Sequence, residues 1–440
     1  MLYLLLPLMF LSHALAMRGF WKSLRQGVFP HATQSVPASF ILYYDLGLLA
    51  ELCGYTYEVR YFTSIFRVDE TQQLIAVGLI GFGPWLVLAG ARLVQDCSRR
   101  SAPIVPLRLT VGSQLLFYSV SLFAVSLLAW IGYSHIGNGQ AIWEVRQNIG
   151  EDYGFMCIMF YIPLQLLAFF VTTRDARGLF GTLFTVGLVL GSCVTTVCLG
   201  QRTLLLLPAL IVLFFRFRPT PGKVVAALSL PIVAACMLTA FKGHFASSGL
   251  RTDELVVQTV HIDFSRTGIL LKALELSEPV GTRALPYPGS GYVYTALFTI
   301  PRTIVPFKGH STAHEFTALI MGEQSNSLTW GFAVGMVEEL VLNAGLWPCL
   351  GGLVVWGMIV GMLDRLADSI RAMRVPLSIG CLFLCGYDSS ALLLMYGLMA
   401  IMGALLEFCF ACACPAPSER SSQVLTKPRW TNGQIASSHA

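Results

Sequence analysis

Between Arg202 and Gly345 the chain collects the residue types that grip phosphate and move protons. Arg266, Arg302 and Lys308 are spread over one long stretch, and Pro301 and Pro306 set the backbone around the last two. A guanidinium keeps its charge and can hold a phosphate through two parallel hydrogen bonds, so Arg at such places suits an anionic ligand. The plain alternative is contact with lipid headgroups, or a role in topology alone. Arg202 opens a Leu-rich run and belongs with this group. Downstream, Gly335-Met-Val-Glu338-Glu339-Leu-Val-Leu-Asn343-Ala-Gly345 puts Glu339 and Asn343 four residues apart, hence on one helical face. A carboxylate there can take a hydroxyl proton or accept its hydrogen bond. The alternative is an acid that merely favours the first turn of a solvated helix. His310 and His314 stand in His-Ser-Thr-Ala-His-Glu315. A zinc site wants a third ligand and usually the order HExxH, which is absent, so no metal and no cofactor is expected.

The elements that must carry these residues are membrane helices. The sequence is 55% hydrophobic and 12% charged, with a mean hydropathy of +0.67. That balance makes the bilayer the solvent, and the continuous apolar runs exclude an alternating β-barrel. Helices are expected near 2–16, 38–54, 73–94, 110–133, 155–173, 179–199, 203–215, 224–241, 340–362, 375–387 and 391–411, about eleven spans in all. The runs at 203–215 and 375–387 are short, so they must be extended by their flanks or be irregular. Eighteen Lys and Arg fall on one set of alternating connections, among them Arg18, Lys22, Arg92 and Arg365, against four on the opposite short ones. The rich side is expected to be cytoplasmic, with the N-terminus outside and the C-terminus inside. The net charge of +5 is accounted for by orientation, and no nucleic-acid partner is expected. Ala14-Leu15-Ala16 resembles a signal cleavage site, but no basic region precedes it and Arg18, Lys22 and Arg25 follow, so a retained first helix is expected.

The chain then divides into helices 1–8 over 1–241, a large outer loop over 242–330, helices 9–11 over 331–412, and a Ser-rich, disordered cytoplasmic tail over 413–440. Within the loop, the apolar spacing of Val256, Val260, Phe264, Leu271 and Leu274 suggests a helix lying on the membrane surface. Ala284 to Gly291 should turn, and an apolar stretch from Tyr292 to Ile300 follows. Most of the twelve cysteines sit inside apolar runs as small hydrophobes. Cys409, Cys412 and Cys414 read as the end of the last helix in preference to a metal site. Asp45 and Glu51 are buried-acid candidates six residues apart on different faces of the second helix, with no role assigned and pairing one option.

The order Arg266, then Ile300-Pro301-Arg302-Thr-Ile-Val-Pro306-Phe-Lys308, then the Gly335–Gly345 segment resembles the Wzy-type oligosaccharide repeat-unit polymerases, which include the O-antigen polymerases. Gln201-Arg202-Thr-Leu-Leu-Leu-Leu matches a further Arg in that pattern. The chain departs from it in Lys308-Gly309, where Lys-Pro is usual, and in the doubled acid Glu338-Glu339. The resemblance implies a GT-C-like membrane fold in the cell inner membrane and a metal-independent glycosyltransferase that inverts the anomeric carbon. It implies two undecaprenyl-diphosphate-linked oligosaccharides as donor and acceptor, and a chain-length regulator as a possible partner. By this resemblance Glu339, Arg302 and Glu338 are candidates for catalysis. Arg202, Arg266, Lys308 and Asn343 are candidates for substrate binding. Apart from the resemblance, His310 and His314 are candidates for binding sugar or acting as a base, against a solvated turn, and Asp388, at the outer turn between the last two helices, for touching sugar. An O-antigen ligase would differ in its acceptor. A lipid-linked oligosaccharide flippase is the rival of another class, although no internal repeat is visible. An intramembrane protease lacks a convincing nucleophile and base.

Overall fold

A computed structural model describes residues 2–26, 30–55, 62–95, 107–137, 164–198, 265–277, 289–297, 309–325 and 331–410, with a few isolated positions between them. Among these the molecule is almost entirely helical, with one isolated β-bridge between Leu107 and Thr173. Arg202, Arg302 and Lys308, the expected helices at 203–215 and 224–241, and the tail from 411 onward lie outside the described residues.

The helices are α1 (Leu2–Ala16), α2 (Arg18–Arg25), α3 (Ala32–Phe40), α4 (Leu46–Leu52), α5 (Glu70–Val94), α6 (Val111–Gly137), α7 (Leu179–Cys198), α8 (Thr267–Leu276), α9 (Ser290–Leu297), α10 (Thr312–Met321), α11 (Met336–Ala344), α12 (Leu346–Ser369), α13 (Arg374–Gly380) and α14 (Ser389–Phe410). A further helical segment covers 164–172. Among the described residues, α5, α12 and 391–410 of α14 are long and apolar enough to cross a membrane; α1 and α2, bent by 40°, make a fourth if taken together.

α5 and α12 form the central pair, and glycine lets their backbones meet. A Cβ on Gly357 would collide with the Val87 carbonyl, and one on Gly90 with the Val354 carbonyl. A Cβ on Gly361 would lie 2.9 Å from the Ala91 carbonyl oxygen. Gly357 meets Val87, Gly361 meets Ala91 and Asp364 meets Gln95 in turn, so the pair is parallel. Between membrane helices, where lipid is as apolar as Leu, close packing of small residues supplies the association.

α3, the π-helical turn Ile41–Asp45 and α4 form one rod from 32 to 52, six residues longer at its start than expected. Asp364 of α12 caps it, accepting from Ala32 N–H at 2.7 Å and from Thr33 N–H at 3.1 Å. This satisfies donors that every helix start leaves open. On the far flank, α6, α7, α14 and segment 164–172 are joined by aromatic rings. Phe117 stacks on Phe170 at 5.6 Å and Tyr118 meets Phe184 edge-on at 4.6 Å.

Two expectations need revising. Of the helix predicted to lie on the membrane surface, Val256, Val260 and Phe264 fall outside the described residues, and the remainder, α8, is packed inside the protein. α8 buries Thr267, Ile269, Leu270, Leu271, Ala273 and Leu274 on nearly all sides and packs against α11. Thr267, which breaks the apolar stripe, therefore faces protein and not water. The helix expected over 340–362 starts at Met336, breaks at Gly345 and runs on to Ser369. The short run near 375–387 is irregular: α13 passes into a 3-10 turn, Cys381–Phe383.

Candidate functional site

α11 precedes the span α12 and is separated from it by Gly345, whose φ of 85° and ψ of 177° admit little besides glycine. At its other end Gly335 presses on Cys385, whose carbonyl a Cβ would strike, and that Cβ would also lie 2.7 Å from Glu338 Oε2. Both glycines of the Gly335–Gly345 pattern thus have steric causes. The helix between them is buried along its whole length, and Glu338, Glu339 and Asn343 are each at most 1% exposed.

Glu339 and Asn343 share a face, as their spacing predicts. Glu339 Oε1 accepts from the Thr312 hydroxyl at 2.8 Å, and Oε2 accepts from Ser389 N–H at 2.6 Å and from the Ser389 hydroxyl. Asn343 Oδ1 accepts from Gly291 N–H at 3.1 Å, and its amide donates to the Glu339 carbonyl at 2.9 Å. A Cβ on Gly291 would run into Thr312 Oγ1 and lie 3.2 Å from both Asn343 Nδ2 and Glu339 Oε1. One network therefore ties α9, α10, α11 and α14 together. Burial raises the Glu339 carboxyl above the usual range, and the Asp388 charge adds to this. The Ser389 and Thr312 donors work against both.

Glu338 turns the other way. Its Oε1 accepts from the Tyr44 hydroxyl at 2.8 Å, while Oε2 is buried with no hydrogen-bond partner. Burial pushes this carboxyl up to about 7, against the Tyr44 hydrogen bond and the Arg266 charge, which lower it. Arg266, just ahead of α8, donates to the carbonyls of Ala333 at 2.9 Å and Gly386 at 3.1 Å, and its guanidinium carbon lies 5.7 Å from the Tyr43 ring centre. Its Nε is buried with no partner. The doubled acid therefore divides into a saturated carboxylate, Glu339, and one with an oxygen to spare, Glu338.

The π-helical turn supplies three neighbours to this interior in succession. Tyr43 accepts Arg266 N–H on its carbonyl at 2.7 Å, and Tyr44 holds Glu338. Asp45 pairs with His13 Nδ1 at 2.8 Å. His13 Nε2 lies 3.0 Å from the Ile80 carbonyl, which only accepts, so Nε2 carries a proton. The Nδ1–Asp45 contact then shares one more proton between ring and carboxyl. Glu51, the other buried-acid candidate, accepts from the Ser64 hydroxyl. A π turn adds one residue to a helical turn and re-aims the side chains that follow, a device frequent at functional sites.

His310 and His314 do not join this network. Their rings stand 6.2 Å apart, and His314 Nδ1 is 2.9 Å from Ser311, the residue that caps α10. Among the described residues no three His, Cys, Asp or Glu are placed to hold a metal ion. Asp388 accepts from Ala391 N–H at 2.9 Å and starts α14. Sequence reasoning passed over Tyr44, Thr312, Ser389 and His13. Ser389 follows Asp388 and Thr312 sits inside the His310–His314 segment, but nothing in their spacing marks them as partners of Glu339. Compared with protein-family models, with curated proteins and with solved structures, the chain matches none.

Proposed function

We propose that this chain is a multi-pass inner-membrane glycosyltransferase that joins undecaprenyl-diphosphate-linked oligosaccharide repeat units into a surface polysaccharide at the periplasmic face. The observation that carries the reading is the arrangement on α11. Glu338 and Glu339 are held on a short helix that precedes the span α12, beside Arg266, and spare bonding capacity remains on Glu338 Oε2 and Arg266 Nε. The parallel pairing of α5 and α12 also agrees with the alternation of basic connections, which runs both helices from outside to inside.

In this reading the acceptor hydroxyl gives its proton to a glutamate and its oxygen attacks the anomeric carbon. The bond from that carbon to the diphosphate breaks, and the lipid diphosphate leaves with the electron pair. Burial raises both carboxyls, and Glu338 is the better-placed base because one of its oxygens is unengaged while both of Glu339 are taken. Glu339 holds α9, α10 and α14 in register around it. Arg266, Arg302, Arg202 and Lys308 would face the diphosphate, and a cation positioned in advance stabilises charge that grows on departure. Both carboxylates are closed from solvent, so catalysis requires the segments around Glu338, which carry Tyr44, Arg266 and Cys385, to part from α11.

The buried His13–Asp45 pair favours a second reading, a transporter that moves lipid-linked oligosaccharide with a proton. Glycan profiles of a deletion strain separate the two. Loss of the long ladder with single capped units retained supports the polymerase. Loss of all capped units supports the transporter, or a ligase, and refutes the polymerase.

A further inference from the structure

A cavity of about 850 Å³ lies at the opposite end of α12 from α11, roughly 27 Å along the helix from Leu346 to Asp364. Its makeup changes along its length. On α5 the lining residues Trp85, Leu88, Arg92 and Gln95 follow at helical spacing and form one stripe about 15 Å long. That stripe is apolar toward the middle of the span and polar at its end. Arg18 and Lys22, one turn apart on α2, and Arg365 on α12 complete a set of four permanent cations.

Two acids also line the cavity, and the nearer one is already engaged. Asp364 accepts from Ala32 N–H, Thr33 N–H and hydroxyl, and Gln95 Nε2 at 3.1 Å or less. Asp368 adds to the field at Arg374. Among the described residues positive charge therefore stands in excess at the mouth, with four cations against two acids in the lining.

We propose that this cavity binds the phosphate-bearing headgroup of an anionic phospholipid. The cations of α2, α5 and α12 take the phosphate, and an acyl chain lies along Trp85 and Leu88. The cations alone would serve any soluble phosphate. The apolar stripe leading into the span is what selects a lipid, since a small anion gains nothing from it. Pockets of this size hold ligands of several hundred Å³, enough for a headgroup with the start of its chains. Basic clefts between membrane helices recognise anionic headgroups by the same charge logic. The site stands apart from the glutamates of α11 and does not depend on their proposed function.

The test uses the full chain purified in mild detergent. Native mass spectrometry with phosphatidylglycerol and phosphatidylcholine at equal concentrations counts the lipid retained. About tenfold preference for phosphatidylglycerol is expected, falling about tenfold in Arg18→Gln/Arg92→Gln, with Lys272→Gln unchanged. Lys22→Gln is the milder variant should the double change fail to fold, and the comparison of the two lipids in the unaltered protein needs no variant. Equal retention of the two lipids overturns the proposal, as does undiminished preference in the folded variants. Inorganic phosphate should leave thermal stability unchanged. A shift equal to that given by phosphatidylglycerol means a site for a soluble anion and refutes the lipid assignment.

Discussion

Glutamine at position 338 should make the folded protein less sensitive to pH and, in alkaline buffer, more stable. Burial raises the Glu338 carboxyl from the ordinary 4.5 to about 7. The unfolded chain therefore ionises first. The stabilising effect of the protonated carboxyl is complete below 4.5, is lost as the pH climbs through 7, and changes no further above that. At about 1.4 kcal/mol per pH decade, the interval corresponds to about 3 kcal/mol of lost stability by pH 8. Glu338→Gln preserves the volume and can still accept the Tyr44 hydroxyl on Oε1, but it does not titrate. Thermal unfolding in detergent across pH 4.5–8 at fixed salt reads the difference between the two proteins. Glu339 titrates in both and cancels. The curves should lie within about 1 kcal/mol of each other at the acid end, the scale of one altered hydrogen bond, and separate steadily toward pH 8 with the variant above. Parallel curves, or a variant less stable at pH 8, would show that the carboxyl is not held protonated by burial. In a glycan-ladder complementation assay the same variant should fail despite its greater stability, because an amide cannot accept the proton.

Four other outcomes are expected. Arg266→Lys cannot hold the carbonyls of both Ala333 and Gly386, so thermal unfolding should register a loss of about 1–3 kcal/mol; unchanged stability would mean that the bridge contributes nothing. Gly357→Leu drives a side chain into the Val87 backbone and should cost about 3 kcal/mol or more, abolishing a monodisperse peak in size exclusion, whereas Gly351→Leu, with open space around it, should not. Arg302→Ala should shorten glycan ladders through a rate loss on the order of 10²-fold, with Arg302→Lys between it and wild type, because Lys keeps the charge and loses the fork; wild-type ladders from Arg302→Ala would remove it from the mechanism. A chelator should leave polymerisation in washed membranes intact, and activity lost on chelation and restored by one divalent ion would return His310 and His314 to consideration.

What the residues alone determine is local or periodic. Hydropathy marks α5 and α14 to within a few residues, because a span must be long and apolar whatever it packs against, but it misses the break at Gly345 that separates α11 from α12. The four-residue spacing of Glu339 and Asn343 places them on one face, because the helical repeat is indifferent to context. The tertiary structure decides everything that depends on a partner distant in sequence. Glu339 meets Ser389 and Thr312, 50 and 27 residues away, and Asp45 meets His13, 32 residues away. No periodicity encodes such distances. The same holds for α8, whose broken apolar stripe reads as a surface helix until packing against α11 and its other neighbours buries Thr267 with the apolar residues. It holds for the difference between two adjacent glutamates as well: neighbours on a helix point about 100° apart, so one was saturated by Ser389 and Thr312 and the other left with a free oxygen beside Arg266 only when the surrounding helices closed.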